Sequence, residues 1–285
     1  MLCINCGTKM DAYFVKKSFS IVRCFTCKLM AVENVPADLS PYYREGYFTG
    51  DVTLDGYMDY DSDKEVSKKT YVDFLGVMKK FVKNQHSPSM LEVGCATGFF
   101  MNLGKQQGWQ VEGIDISEYA VQKTKEKGMV ASVGTLETYV TDKKFDAIVA
   151  QDVIEHVKDP INDIKKSADL LADNGLLVLT TPDAGSLWAR VWGKRWHAFV
   201  PPQHLFYFSV KNLSSVLEKN GFKVEYCAHH GKWFAVPYII RLLYSWTGLG
   251  IFSKLASWSS NSFLKKISLP INVRDTIFLI ARKIN

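Results

Sequence analysis

Five short, largely apolar runs, Met90–Val93, Val111–Ile114, Val130–Val133, Ala147–Ala150 and Leu176–Leu179, alternate with stretches of helical hydrophobic spacing. Runs without polar alternation suit strands buried on both faces, and intervening helices are what parallel crossovers require. The pattern predicts an α/β fold, a doubly wound and mostly parallel seven-stranded sheet with helices on both sides. Phe222–Cys227 is expected as a further strand, after a helix that Ser209 caps and Asn220-Gly221 closes, and Asp275–Ala281 as the last. In such a sheet a ligand sits at the carboxyl ends of the strands.

Ahead of this region Cys3-x2-Cys6 and Cys24-x2-Cys27 stand 17 residues apart. Paired knuckles at this spacing place four thiolates around one tetrahedral ion, so Cys3, Cys6, Cys24 and Cys27 are read as a zinc ribbon, with iron as the alternative metal. Four protein ligands leave no open position, so the metal is expected to be structural. Met1 and Leu2 run straight into Cys3, so no secretion leader is expected and the cytoplasm is the expected location.

The segment Leu91-Glu92-Val93-Gly94-Cys95-Ala96-Thr97-Gly98-Phe99-Phe100 is a glycine turn between a strand and a helix. Gly94 permits a sharp turn, Gly98 a close approach, and the helix start offers unpaired N–H groups. Asp115, ending the next strand, is placed to accept the hydroxyl hydrogens of a ribose. Together these residues resemble motif one of class I S-adenosylmethionine-dependent methyltransferases, with Glu92 in the acidic place and Ala96 where the family has its middle glycine. The resemblance implies S-adenosylmethionine as cofactor, Ile116 beside Asp115, Thr135 and Leu136 bordering adenine, and Gln151 and Asp152 near the methionine part. Tyr57 or Tyr60 is expected to cover the cofactor.

Methyl transfer to a hydroxyl requires alignment and removal of a proton. His156, in FDAIVAQDVIEHV, and His204, in WHAFVPPQHLFYFS, are the candidate bases, His204 first, and Asp152 is the candidate that orients them. The second segment resembles one recurring in methyltransferases of bacterial cell-surface sugar pathways. Glu155 is expected to be solvated or to cap a helix. Trp188, Trp192 and Trp196 recur every fourth residue and are expected on one helical face.

These readings divide the chain into 1–36, the zinc ribbon; 37–63, a connector contributing to cofactor cover; 64–231, the methyltransferase core; 232–268, an aromatic, basic helical insertion; and 269–285, the final strand of the core sheet. The charge of +6 is uneven, since Lys232–Asn285 holds eight basic residues and one acid. With Trp233, Trp246 and Trp258 this tail suits an anionic membrane surface, which would place the protein at the inner face of a membrane. The leading expectation for the acceptor is a sugar or other hydroxyl on a small molecule or lipid-linked glycan. A quinone-type phenol and an RNA docked by the ribbon are the alternatives, and a non-catalytic docking protein comes last. Gln151-Asp152-Val153-Ile154 stands where methyltransferases of exocyclic base amines carry an Asn or Asp followed by Pro-Pro-aromatic, which argues against adenine or cytosine amines.

Overall fold

The computed structural model describes residues 1–36, 42, 46, 48, 60–83, 86–237, 239, 240, 244, 248–260 and 267–284. The chain begins with β1 (Asp11–Lys16), β2 (Phe19–Arg23) and β3 (Met30–Val32), then α1 (Tyr60–Val66) and α2 (Lys68–Phe81). Next come β4 (Ser89–Val93), α3 (Phe99–Gln106), β5 (Gln110–Asp115), α4 (Glu118–Glu126), β6 (Val130–Val133), β7 (Phe145–Gln151), α5 (Pro160–Leu170) and β8 (Leu171–Pro182). After these lie α6 (Leu187–Trp192), β9 (Phe206–Tyr207), α7 (Val210–Lys219), β10 (Phe222–His229), β11 (Lys232–Ala235), α8 (Gly250–Ser260), β12 (Ser268–Ile271) and β13 (Thr276–Lys283).

Seven strands form one sheet in the order β10-β13-β8-β7-β4-β5-β6. β8, β7, β4, β5 and β6 run parallel, and β13 is antiparallel to both β8 and β10. The predicted doubly wound sheet is therefore the fold. The central strands β7 and β8 read as unbroken apolar runs because alternate residues feed opposite layers. Contrary to expectation β6, at the sheet edge, leaves Val130 and Val133 exposed and is not buried on both faces. Leu91, Val93, Ile148, Ala150, Leu177 and Leu179 enter one core cluster; Met90, Ala147, Val149, Leu176 and Val178 enter the other, against Phe74, Met78 and Phe100 from the helices. Each of the larger side chains among them contributes roughly 1.5–3 kcal/mol through burial, so a charge at Val149 would break a layer.

Ser209 caps α7 with a reciprocal Ser209–Asn212 capping box, and the turn after it passes through Gly221 at a left-handed φ of 83°. Two expectations need correction. The helix bearing Trp188 and Trp192 stops at Trp192, and a short 3-10 turn from Gly193, at φ 50°, follows it. Trp196 therefore leaves the helical face and is buried beneath Phe199, while Trp188 and Trp192 pack on each other. The segment 232–268 is not wholly helical: it starts and ends in the antiparallel pair β11–β12, with α8 between.

The strands of the amino-terminal cysteine module, whose cysteines lie outside them, form a separate four-stranded sheet, β1-β2-β3-β9. Its last member, β9, comes from the chain between β8 and β10 of the large sheet, so the small sheet is completed by a segment of the core region.

Candidate active site and metal centre

The turn after β4 is made by backbone. Gly94, at φ 69°, and Cys95 both donate their N–H to the Ile114 carbonyl, at 2.8 and 3.0 Å, and Gly98, at φ 76°, donates to Cys95 at 2.9 Å. A Cβ on Gly94 would stand 2.6 Å from Val153 Cγ2, and one on Gly98 2.6 Å from Met129 Cε. Only glycine meets both the conformation and the space at these positions. Ala96 also adopts a left-handed φ, 47°. Its N–H donates to Asp115 Oδ2 at 2.8 Å, while Ser117 donates to Oδ1 at 2.9 Å. That anchoring offsets the strain that the family's glycine would avoid. Each carboxylate oxygen keeps a free lone-pair direction for a ribose hydroxyl. Burial pushes the Asp115 carboxyl up and the backbone amides of Ser117, Ala96 and Ile116 pull it back.

Glu92 is buried beneath the loop. Burial holds its carboxyl well above the usual range, against the opposing charge of Lys64. Glu92 Oε2 and Gln151 Oε1 are buried acceptors without a hydrogen-bond partner among the described residues. Ile116 is exposed beyond Asp115. Thr135 is exposed and its N–H donates to Thr138 Oγ1 at 2.9 Å, whereas Leu136 is a core residue. Tyr57 lies outside the described residues. Tyr60 packs against Phe48, whose ring joins Ala96 and Ala120 in a small cluster over the loop. A latch that the sequence did not reveal ties α1 down: Thr97 Oγ1 donates to Asp61 Oδ1 at 2.5 Å, and Lys127 Nζ binds Asp61 Oδ2 at 2.6 Å and the Thr97 carbonyl at 2.8 Å.

The histidines sit next door, because Val153, which abuts Gly94, accepts the His156 N–H at 2.8 Å. His156 Nδ1 is 2.8 Å from the Gln203 carbonyl and His204 Nδ1 2.8 Å from the Ala198 carbonyl. A carbonyl only accepts, so each Nδ1 carries hydrogen and each Nε2 offers a lone pair. The rings stand edge to face at 4.7 Å between centroids. Burial pushes both imidazoles down, His204 farther because His156 adds to it, while Asp152 opposes both shifts. Asp152 itself accepts the Thr180 hydroxyl at 3.1 Å. Backbone carbonyls, not Asp152, fix the tautomers.

Glu155 is a correction, since it is buried and not solvated, with an oxygen 4.0 Å from His156 Nε2. Glu155, His156 and His204 present ligand atoms within 4.8 Å of one another and form a group that could hold a cation. Nearby lies a pairing invisible in the sequence: His229 Nε2 is 2.7 Å from Asp183 Oδ2, at the end of β8. The only available signal was the position of Asp183 just past a predicted strand.

The four cysteine sulfurs converge. Cys3–Cys27 and Cys6–Cys24 separations are each 3.4 Å and Cys6–Cys27 is 3.9 Å. A tetrahedron with metal–sulfur bonds of about 2.3 Å spaces sulfurs by roughly 3.8 Å, so the geometry accommodates an ion. Burial raises the Cys3 and Cys27 thiols, while the Thr8 hydroxyl brings Cys6 down to about 6.

A family model described as "Methyltransferase domain" matches residues 68–226, more than half of the chain. The chain belongs to this methyltransferase family. The methyltransferase is 28% identical over 181 residues to a ubiquinone biosynthesis O-methyltransferase of Bradyrhizobium diazoefficiens, covering 54% of this chain and 71% of that one. It is 33% identical over 104 residues to the protein of the same name from Histophilus somni, covering 32% and 44%. Among solved structures, magnesium protoporphyrin IX methyltransferase from Synechocystis with bound SAH aligns with a TM-score of 0.51 at 17% identity, covering 86% of this chain and 95% of that one. A SAM-dependent methyltransferase from Thermotoga maritima aligns at 0.50 and 18%, covering 77% and 92%. These two likenesses show the fold.

The protein is thus an S-adenosylmethionine-dependent methyltransferase, and its residues fit that cofactor. The tight backbone turn at Gly94 and Gly98, which allows close approach, and the Asp115 carboxylate suit the adenosyl part. Glu92 Oε2 and Gln151 Oε1, buried and lacking donors, suit an ammonium group.

Proposed function

We propose that this methyltransferase methylates a hydroxyl oxygen, with the His156–His204 pair taking up the proton. S-adenosylmethionine supplies a methyl group on a sulfonium and leaves as a thioether, so no acid is needed at the leaving side. The observation that carries the reading is the pair itself. Two adjacent imidazoles have each Nδ1 tied to a carbonyl, at 2.8 Å in both cases, which leaves each Nε2 as a base. Burial keeps both neutral and weakly basic. A base of that kind suits a phenol, whose pKa is about 10, better than a sugar alcohol, which gives up its proton far less readily. The names of the relatives support the same acceptor class.

A lipophilic phenol would reach the enzyme from a membrane. In α8, Ile251, Leu255 and Trp258 are exposed at helical spacing beside Lys254, which supports contact with an anionic lipid surface. Among the described residues no helix is long and apolar enough to cross a membrane. A sugar hydroxyl is the second reading, favoured by the Trp196–Ser209 segment and its resemblance to surface-sugar methyltransferases. The paired thiolate knuckles support a structural zinc in either reading.

Incubating the protein with methyl-labelled S-adenosylmethionine and cell extract, then separating lipids, sugars and RNA, tests the proposal. Alkali-stable label in an aromatic lipid is expected. Label in the carbohydrate fraction would move the assignment to the second reading, and label in RNA would end both.

A further inference from the structure

The cysteine module is joined to the acceptor side of the site through β9. Met30 pairs with Tyr207 and Ala31 with Phe206, and the Val32 N–H donates to the Leu205 carbonyl at 2.8 Å. From the other side, Leu205 and Phe206 donate their N–H groups to the Glu155 carbonyl at 2.7 and 3.1 Å. The residue before Leu205 is His204, and the residue after Glu155 is His156. A two-residue strand has no stability of its own, so its position is set by what it pairs with. Here one neighbour is the cysteine sheet and the other is the loop bearing His156.

Packing follows the same route. Cys3, Cys24, Leu29 and Ala31 share a single buried cluster with Leu205, Phe206 and Phe208. Phe14 of β1 meets Phe199 edge-on at 5.0 Å, and the Tyr207 ring meets Phe199 at 4.7 Å. Behind them, the Ser215 hydroxyl and the Lys219 ammonium of α7 hydrogen-bond Asn5, which lies between the first two cysteines. The turn residues from Gly94 to Gly98 and Asp115 make none of these hydrogen bonds. Their partners beyond the turn include Ile114, Ser117, Asp61, Thr124 and Lys127.

We propose that the metal-loaded cysteine module is a wall of the acceptor site: by templating β9 it sets where His204 stands relative to His156, and it leaves the cofactor loop untouched. This rests on the reading that the four thiolates hold a metal and that His204 serves the acceptor. Small cysteine modules lose their structure without the ion. Removing the ion therefore frees β3, then β9, then the His204 peptide.

The test uses the full chain with S-adenosylmethionine as ligand, in four forms: as purified, chelator-treated, Val32→Pro and Phe14→Ala. Val32→Pro deletes the N–H that reaches Leu205 and keeps all four cysteines. Phe14→Ala trims a half-buried ring and is the gentler change, should proline disturb folding. Bound zinc, hydrogen exchange of the Leu205 amide, S-adenosylmethionine affinity and turnover on the fraction that accepts label are read for each. Leu205 is informative because its N–H is bonded to Glu155 and not to the cysteine sheet.

Chelation and Val32→Pro are each expected to speed Leu205 exchange about tenfold or more and to lower kcat, with cofactor affinity within about twofold; Phe14→Ala should give the same split in smaller measure. Slow Leu205 exchange and full turnover after the zinc has been removed would overturn the proposal. Finding no metal in the purified protein would overturn it at its metal premise. The Val32→Pro result would still show whether β3 holds β9, and the labelling experiment would still stand on its own.

Discussion

Asp115 reaches back 19 residues to the Ala96 amide, whereas His156 depends on a carbonyl 47 residues ahead of it. On the cofactor side one strand–turn–helix unit and the next strand's end make nearly everything, and backbone N–H groups do most of the holding. On the proposed acceptor side the groups are side chains from two places, the turn after β7 and the loop before β9, and that loop leads into a strand paired with the cysteine sheet. A site made of local backbone is rigid once its strands pair. A site assembled from distant side chains can be retuned without loss of the first.

The sharpest way to break this contrast is Gly94→Val. A left-handed φ costs a β-branched residue about 1–2 kcal/mol, and the new Cβ would press on Val153 at 2.6 Å. Calorimetry should find S-adenosylmethionine affinity reduced by roughly a hundredfold or more. Near-normal affinity would mean that the loop backbone is not what shapes the cofactor half. Far-UV circular dichroism guards against a merely unfolded variant.

His204→Ala probes the other half. Removing a general base costs about 100-fold or more in turnover, and cofactor affinity should stay within a few-fold of the parent. Equal losses in turnover and affinity would show that the two halves are not separable.

The same pair gives a pH expectation with a definite sign. Burial lowers both imidazoles below the ordinary histidine value, with His156 and His197 acting against His204 and Asp152 acting for it. Both bases stay unprotonated as pH falls through about 6.5, so kcat should hold there and drop only in more acid solution. Stability behaves oppositely. Below the unfolded value the unfolded chain takes up protons that the folded one refuses, so stability is lost as pH falls from about 6.5. A kcat that halves near the ordinary histidine value would show that neither buried ring is the base.

These two halves were unequally legible in the sequence. The sheet could be read because residues such as Ile148 and Val149 face opposite buried layers, which forces unbroken apolar runs. Gly94, Gly98 and Asp115 could be read because local backbone chemistry admits few residue types there. The left-handed Ala96 could not be read as anchored, since its relief comes from Asp115. Nor could burial of Glu155, which is polar, charged and flanked by Ile154 and His156 in a stretch resembling any helix start. The tryptophan spacing misled because Gly193 ends the helix before Trp196. Periodicity carries no record of a turn that comes from a single residue. The link between β3 and β9 was equally hidden, because two-residue strands leave no pattern.

The smallest expected effect bears on whether the cofactor half is as self-contained as its backbone suggests. Asp61 lies on α1, 36 residues before the Thr97 it grips, and joins Lys127 and Thr124, which hold the Thr97 and Ala96 carbonyls, as a side-chain support from outside the loop. Its ion pair with Lys127 is short, 2.6 Å, but both side chains are substantially exposed, 34% and 45%. Solvent screening limits such a pair to about 1 kcal/mol or less. The hydrogen bond to Thr97 adds a comparable amount. Asp61→Ala should therefore weaken S-adenosylmethionine binding only about three- to tenfold, through a looser α1 and its Tyr60, with kcat at saturating cofactor unchanged. A loss as large as that of Gly94→Val would make the cofactor half depend on distant side chains too, and the difference between the two halves would disappear.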